Sequence, residues 1–240
     1  VHLFFNSQTN TLYMNSQLKT KLITTEDGSH SLYVPHLNEH YHSTHGAIQE
    51  SRHVYIDTGL NACKLEKINV LEIGFGTGLN TFLTLMESEK TNKVVKYTSL
   101  ELYPLAIESA KQLNYAEQLT DKKRVTQFLD LHKAPWGKEV DITPNFSLRK
   151  IETDISNPNN LDTTVHYDVI YFDAFAPEKQ PEMWTQQIFD KLFSLSNENA
   201  IITTYCAKGS VRRMLQKAGY TMERLPGPPG KREILRGRKI

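Results

Sequence analysis

The stretch Val70-Leu71-Glu72-Ile73-Gly74-Phe75-Gly76-Thr77-Gly78-Leu79-Asn80 constrains this chain more than any other. Val70, Leu71 and Ile73 read as a short apolar strand, and helical apolar spacing resumes at Leu79 after alternating glycines. Glycine has no Cβ, so such a turn lets a ligand approach the backbone closely. A strand entering a helix through a Gly-rich turn is a nucleotide-site pattern. The spacing excludes a dinucleotide fingerprint. G-x-G-x-x-G counted from Gly74 puts Leu79 where the last glycine belongs, and counted from Gly76 it puts Thr81 there.

Downstream of Lys67, strand and helix patterns alternate. Val70–Ile73, Val94–Leu100, Phe146–Ile151, His166–Phe172 and Ala200–Tyr205 read as strands. Leu79–Ser88, Pro104–Leu113, Asp121–His132, Met183–Leu195 and Ser210–Ala218 read as helices, with Pro104 suited to a first turn and Gly219 ending the last. Tyr220–Leu225 and Arg232–Arg238 form a terminal strand pair across Pro226-Gly227-Pro228-Pro229-Gly230. Alternation of this kind implies a three-layer α/β fold with a mostly parallel, Rossmann-like sheet and an antiparallel C-terminal edge.

Residues 1–60 lack that alternation. Asp27-Gly28 between β-prone segments, from Ile23 to Val34, predicts a hairpin, and Gly46–Tyr55 predicts a short helix. We therefore expect a small N-terminal β-containing extension over 1–60 packed on a domain over 61–240. Seven of the nine histidines precede residue 54, but they lack cysteine neighbours or an H-E-x-x-H motif, so no metal is expected.

Cys63 and Cys206 are too far apart for a metal cluster and read as reduced thiols. No apolar run approaches the roughly 20 residues that span a bilayer, and no secretory leader is visible, so a cytoplasmic location is expected. Net charge is +1, yet Ala207–Ile240 carries ten Lys and Arg against Glu223 and Glu233. Polarised charge of this kind attracts a polyanion even when the total is near zero.

Ligands of open α/β sheets bind at the carboxyl ends of the strands. Glu72 and the glycine turn follow one strand, Glu101 the next and Asp154 the third. Glu101 is placed to accept ribose hydroxyls and Asp154 to accept from an adenine amino group. Each acid alone would equally suit a helix cap. Asp173 ends the fourth strand. A carboxylate there can orient a neutral amine and stabilise positive charge developing on its nitrogen. Phe175 suits stacking on a flat ring.

The pattern E-x-G-x-G-x-G from Glu72 to Gly78 resembles that of class I S-adenosylmethionine-dependent methyltransferases. Asp173-Ala174-Phe175-Ala176-Pro177, Pro181-Glu182-Met183-Trp184-Thr185, Gly209-Ser210-Val211-Arg212-Arg213 and Pro229-Gly230-Lys231-Arg232-Glu233-Ile234-Leu235 narrow the resemblance, as does Glu50-Ser51-Arg52-His53-Val54 upstream. Together they resemble the methyltransferase half of the bifunctional tRNA wobble-uridine modification enzymes of the MnmC type. The resemblance implies N-methylation of 5-aminomethyl-2-thiouridine at the tRNA wobble position to give 5-methylaminomethyl-2-thiouridine. It assigns Glu72, Gly74, Gly76, Gly78, Asn80, Glu101 and Asp154 to S-adenosylmethionine, and Asp173 to catalysis. Phe175 and Pro177 are expected to shape the base pocket. Arg212, Arg213, Lys231 and Arg232 are expected to contact phosphates near the anticodon loop, from which the base is splayed. The second, FAD-dependent half has no counterpart fingerprint here, so no flavin role is expected.

Two rivals stay open on the residues. One is a small-molecule amine methyltransferase or polyamine aminopropyltransferase on the same fold, which would have no need of the basic C-terminal segment. The other is a non-catalytic tRNA-binding module, which would have no need of the cofactor acids or Asp173.

Overall fold

Residues 19–119, 122–162 and 164–240 are described by the structure, a computed structural model. Residues 1–18 of the expected extension, His2 among them, lie outside that range, as do Thr120 and Asp121 at the expected start of one helix.

The chain opens with a small antiparallel sheet of β1 (Lys21–Thr24), β2 (His30–Val34) and β3 (Glu39–His40). Thr24 pairs with His30, which leaves Asp27-Gly28 at the hairpin turn as the sequence predicts. The Asp27 carboxylate holds that turn, accepting from the Thr25 hydroxyl at 2.7 Å and the Ser29 amide at 3.0 Å. Helix α1 (Ala47–Ser51) then runs directly into a π-helical turn, Arg52–Asp57. Such turns often occur at functional sites, and this one carries the buried Tyr55.

The main sheet contains β4 (Lys67–Ile73), β5 (Val94–Glu101), β6 (Glu139–Thr143), β7 (Phe146–Glu152), β8 (Tyr167–Phe172), β9 (Ser196–Thr204), β10 (Thr221–Pro226) and β11 (Glu233–Arg238). Their order is β10-β11-β9-β8-β4-β5-β7-β6. The central pairs β9–β8, β8–β4, β4–β5 and β5–β7 are parallel, whereas β11 pairs antiparallel with both β9 and β10. This is the expected parallel sheet with its antiparallel C-terminal edge. Every residue of β8 is buried, as a central parallel strand covered on both faces requires.

Period-two alternation sends side chains to opposite faces. Val70, Tyr97, Val169 and Tyr171 pack on one face with α2 (Leu79–Thr91) and with Tyr115 and Phe128. Leu71, Ile73, Ile170 and Phe172 pack on the other with Ile188, Phe189, Val211 and Leu215. The first cluster also takes Leu32, Ala47 and Val54, so the N-terminal elements share the core of the main sheet.

Three local expectations need correction. Pro104–Leu113 is not one helix. The Glu101 carboxylate accepts the Tyr103 amide at 2.8 Å and holds an open turn, so α3 (Ile107–Ala110) starts only after Ala106, and α4 (Tyr115–Gln118) follows separately. Helix α5 (Lys122–Lys133) comes next. Met183–Leu195 is also divided: a 3₁₀ turn ends at Met183, and Thr185 caps α6 (Gln186–Ser194) through its hydroxyl. Strand β6, antiparallel to β7, has no counterpart in the sequence reading. Helix α7 (Gly209–Ala218) ends at Gly219 as expected. Among the described residues no helix is long and apolar enough to cross a membrane.

Candidate active site

The chain reverses direction across the sheet between β4 and β8, since β5 and β7 lie to one side and β9 to the other. Ligands of such sheets bind at this switch point, beyond the carboxyl ends of the strands. A cavity of about 580 Å³ opens there, between the glycine turn after β4 and Asp173 after β8. Gly74 packs directly against the Asp173 backbone. Its φ is +93°, and a Cβ on it would stand 2.8 Å from the Asp173 carbonyl oxygen. Position 74 is therefore closed to residues with side chains.

Of the residues assigned to the cofactor from sequence, Gly74, Gly76, Asn80, Glu101 and Asp154 line this cavity. Glu101 accepts the Gly76 amide at 2.9 Å through one oxygen and the Tyr103 amide through the other. Both carboxylate oxygens keep further lone-pair capacity. Asp154 is exposed at the rim, with Oδ1 accepting the Ser156 amide at 2.9 Å. Asn80 donates through Nδ2 to Asp173, while its Oδ1 is buried without a hydrogen-bond partner among the described residues. Such an atom is an acceptor awaiting an N–H donor.

Glu72 and Gly78 do not line the cavity. Glu72 is fully buried beneath the turn, and its Oε2 accepts from Ser99 at 2.5 Å and Thr81 at 3.0 Å. Burial pushes its carboxyl up to about 8 against those two hydrogen bonds. Its place is structural, as a sequence position on a strand cannot reveal when both flanking layers bury it. Gly78 precedes α2, and a Cβ there would meet His132 and Phe75.

Asp173 lies at the β8 end of the cavity. Tyr55 Oη donates to its Oδ1 at 2.6 Å and Asn80 Nδ2 to its Oδ2 at 2.7 Å. Burial raises the carboxyl to about 7, the two hydrogen bonds pull it down, Glu50 raises it and Lys231 lowers it. Phe175 lines the same end, edge-on to Tyr41 with centroids 5.1 Å apart, and its carbonyl is fixed by the Trp184 indole at 2.7 Å. Pro177 is not part of the lining.

The basic residues disperse rather than form one track. Lys231 lines the cavity, with its Nζ 3.3 Å from Glu50 and 4.7 Å from the Tyr205 ring centre. Arg213 and Arg232 are exposed outside it, and Arg212 is half-buried with an unpartnered Nε among the described residues. Arg236 and Arg238 pair with Glu223, and Arg224 pairs with Glu233. Much of the C-terminal charge is thus neutralised within the fold.

Sequence reasoning missed the N-terminal contribution. Tyr41, His42 and Glu50 line the cavity, and His42 Nε2 lies 2.8 Å from the Thr77 hydroxyl of the glycine turn. Burial pushes His42 down to about 4, so it is neutral there. Among the described residues the other histidines do not cluster; His40 packs on Tyr33 and His45 pairs with Glu26. Among the described residues no group of three or more His, Cys, Asp or Glu is arranged to hold a metal. Lys150 was also missed. It is buried behind the turn, donates to the His132 carbonyl at 2.7 Å, and lies over Phe75 and Trp136.

Comparison with known proteins agrees with this geometry. A family described as S-adenosyl-L-methionine-dependent methyltransferase matches residues 137–240. The tRNA 5-methylaminomethyl-2-thiouridine biosynthesis bifunctional protein MnmC of Pseudomonas syringae pv. syringae (strain B728a) is 33% identical over 215 residues. That match covers 82% of this chain and 31% of the relative. The protein of the same name from Leptospira borgpetersenii serovar Hardjo-bovis (strain JB197) is 31% identical over 216 residues, covering 82% and 32%. The chain thus spans about a third of the length of the curated relatives it matches. Among solved structures, MNMC2 from Aquifex aeolicus superposes with a TM-score of 0.74 at 23% identity, covering 99% of this chain and 78% of that one. Spermidine synthase from Thermotoga maritima shares the fold at a TM-score of 0.52 and 13% identity, with coverage of 95% and 83%.

Proposed function

That this chain is an S-adenosyl-L-methionine-dependent methyltransferase domain of the MnmC type is the premise from which we propose its acceptor: the aminomethyl nitrogen of 5-aminomethyl-2-thiouridine at the tRNA wobble position. The observation that carries this reading is Asp173, a carboxylate held by Tyr55 and Asn80 at the end of the cavity beyond the glycine turn. The relatives, bifunctional proteins of tRNA 5-methylaminomethyl-2-thiouridine biosynthesis, suggest the substrate class.

The cavity fits S-adenosylmethionine. Glu101 offers acceptor positions for ribose hydroxyls, Asp154 for an adenine amino group, and the unpartnered Asn80 Oδ1 for the ammonium of the methionine end. Gly74 and Gly76 bring the backbone of the turn to the cavity wall, where that end would lie. When bound, the cofactor supplies an electrophilic methyl group on a sulfonium. Asp173 accepts a hydrogen bond from the incoming amine, which turns the nitrogen lone pair toward the methyl group. As positive charge develops on the acceptor nitrogen, Asp173 would stabilise it and take up the proton that the amine releases. A carboxyl near 7 is suited to both roles at neutral pH.

Phe175, edge-on to Tyr41, forms the platform for the splayed base. The exposed Arg213 and Arg232 lie outside the cavity where phosphates would pass, so binding weakens with salt. We keep the division at about residue 60, with the earlier segment acting as one wall of the acceptor pocket.

The test is methyl transfer from labelled S-adenosylmethionine to tRNA from cells lacking this final methylation. Label at the wobble uridine is expected. Folded protein that binds cofactor yet leaves that uridine unlabelled would refute the acceptor.

A further inference from the structure

The charge lining the cavity is one-sided. Lys231 is the single lysine or arginine among the described lining residues, against Glu39, Glu50, Glu101, Asp154, Asp173 and Glu182. Its position is built from both ends of the chain. Lys231 lies on the turn between β10 and β11, where the Gly227 amide donates to Arg232 O at 3.1 Å and the Lys231 amide to Pro228 O at 2.9 Å. That turn is pinned to the N-terminal segment. His53 Nε2 donates to the Pro226 carbonyl at 2.7 Å. Gly230, at φ +82°, abuts His45 so closely that a Cβ would overlap the imidazole.

The pinned turn delivers the Lys231 ammonium to Glu50 Oε1 at 3.3 Å and over the Tyr205 ring. Glu50 is itself buried and fixed, since its Oε2 accepts the Ser43 amide at 2.7 Å. Tyr205 donates to the Ala174 carbonyl at 2.9 Å, beside Asp173. The side chain of Lys231 is only 29% exposed. An ammonium so engaged is spoken for inside the pocket, not presented to a phosphate.

We propose that Lys231 is a positioning residue for methyl transfer: by neutralising Glu50 it keeps Asp173 ready to accept a proton at neutral pH. The proposal rests on the reading that Asp173 receives the acceptor amine. Two buried carboxylates sharing a pocket disfavour ionisation of both, and a nearby cation restores it. Around Asp173 stand Tyr55 of the π-helical turn, Asn80 of α2, Glu50 of α1, Tyr205 after β9 and Lys231 of the β10–β11 turn, with Glu72 of β4 behind. Lys231 is the one cation in that set.

The test is a carbon-13 NMR titration of aspartate side-chain carboxyls in the full chain, with the Asp173 signal identified by its loss in Asp173→Asn. Lys231→Met is expected to move the Asp173 midpoint up by about one pH unit, and Lys231→Arg to leave it close to the original value. Glu50→Gln is expected to move it down, and the double variant Glu50→Gln/Lys231→Met to return it toward wild type. An unmoved midpoint in Lys231→Met, with cofactor affinity unchanged, overturns the proposal. So does a double variant that shifts as far as Lys231→Met alone. If Lys231→Met does not fold, Lys231→Gln serves with the same criteria. The acid limb of kcat/KM on undermethylated tRNA should follow the same shifts, because the amine of free tRNA titrates identically with every variant. Absence of methylation by wild type refutes the acceptor, whereas the NMR midpoints judge Lys231 independently of turnover.

Discussion

Tyr55 Oη and Asp173 Oδ1 stand 2.6 Å apart although 118 positions separate them in the chain. The hydroxyl comes from the π-helical turn and the carboxylate from the end of β8. The bond stabilises the charged form of Asp173, so its removal raises the carboxyl further above its ordinary value. Tyr55→Phe should move the acid limb of kcat/KM to higher pH. It should also slow turnover at pH 7 by about 5–30-fold, corresponding to roughly 1–2 kcal/mol for an orphaned buried acceptor. A pH–rate profile of the variant checks both.

Asp173→Ala separates binding from chemistry. The Ala side chain leaves Glu101 and the glycine turn untouched, so cofactor affinity should change by less than about threefold while kcat falls by about 10²–10³. Calorimetric titration with S-adenosylmethionine and single-turnover methylation measure the two. Unchanged turnover would remove the residue from the mechanism.

Glu101 makes a contrasting prediction. It holds the turn through the Gly76 amide, lines the cavity, and is proposed to accept from the ribose hydroxyls. Glu101→Ala should weaken cofactor binding by about 10–100-fold, since hydrogen bonds to a charged group contribute about 1.5–3 kcal/mol each. Glu101→Gln, which keeps one acceptor, should lose less. Titration calorimetry of both variants decides it.

Glu72 should be visible in stability rather than in activity. Its folded-state carboxyl titrates at about 8 against an ordinary value of 4.5. Between those values the folded protein holds a proton that the unfolded chain has lost, so stability falls as pH rises through that window and levels off above it. Glu72→Gln keeps an oxygen for Ser99 and Thr81 and removes the titration. Its Tm should match wild type near pH 4.5 and exceed it increasingly toward pH 8. A pH-independent difference in thermal melts would contradict the assignment.

The parallel sheet was legible because its strands are apolar runs and all but Phe146–Ile151 are followed by a helix signal. Strand β6 escaped because Glu139-Val140-Asp141-Ile142-Thr143 is short and charged, with no residue fully buried. The failed helix after Pro104 has a side-chain cause, since Glu101 captures the Tyr103 amide and no propensity rule anticipates that capture. At the site, Glu101, Asp154 and Asp173 could be read from their places after strands. Tyr55, Glu50 and His42 could not, because their segment carries no sheet periodicity and reaches the cavity only through tertiary packing. Lys231 shows a further limit. A run of cations reveals its net charge, but not which members the fold has already paired with buried carboxylates.

The two halves of the cavity differ in how far the chain must travel to build them. Gly76 and Glu101, on the side proposed for the cofactor, are 25 residues apart. The wall proposed for the acceptor needs Tyr55 against Asp173 at a separation of 118, and the β10–β11 turn seated on His53 at a separation of 173. Contacts of such separation close the largest loops and form late. The donor half can therefore order itself as a local unit, and the acceptor half exists only once the two ends of the described chain have met. Hydrogen exchange should find the amides of the 226–232 turn opening more readily than those of β4 and β8, making acceptor recognition the part of the enzyme most sensitive to mild destabilisation.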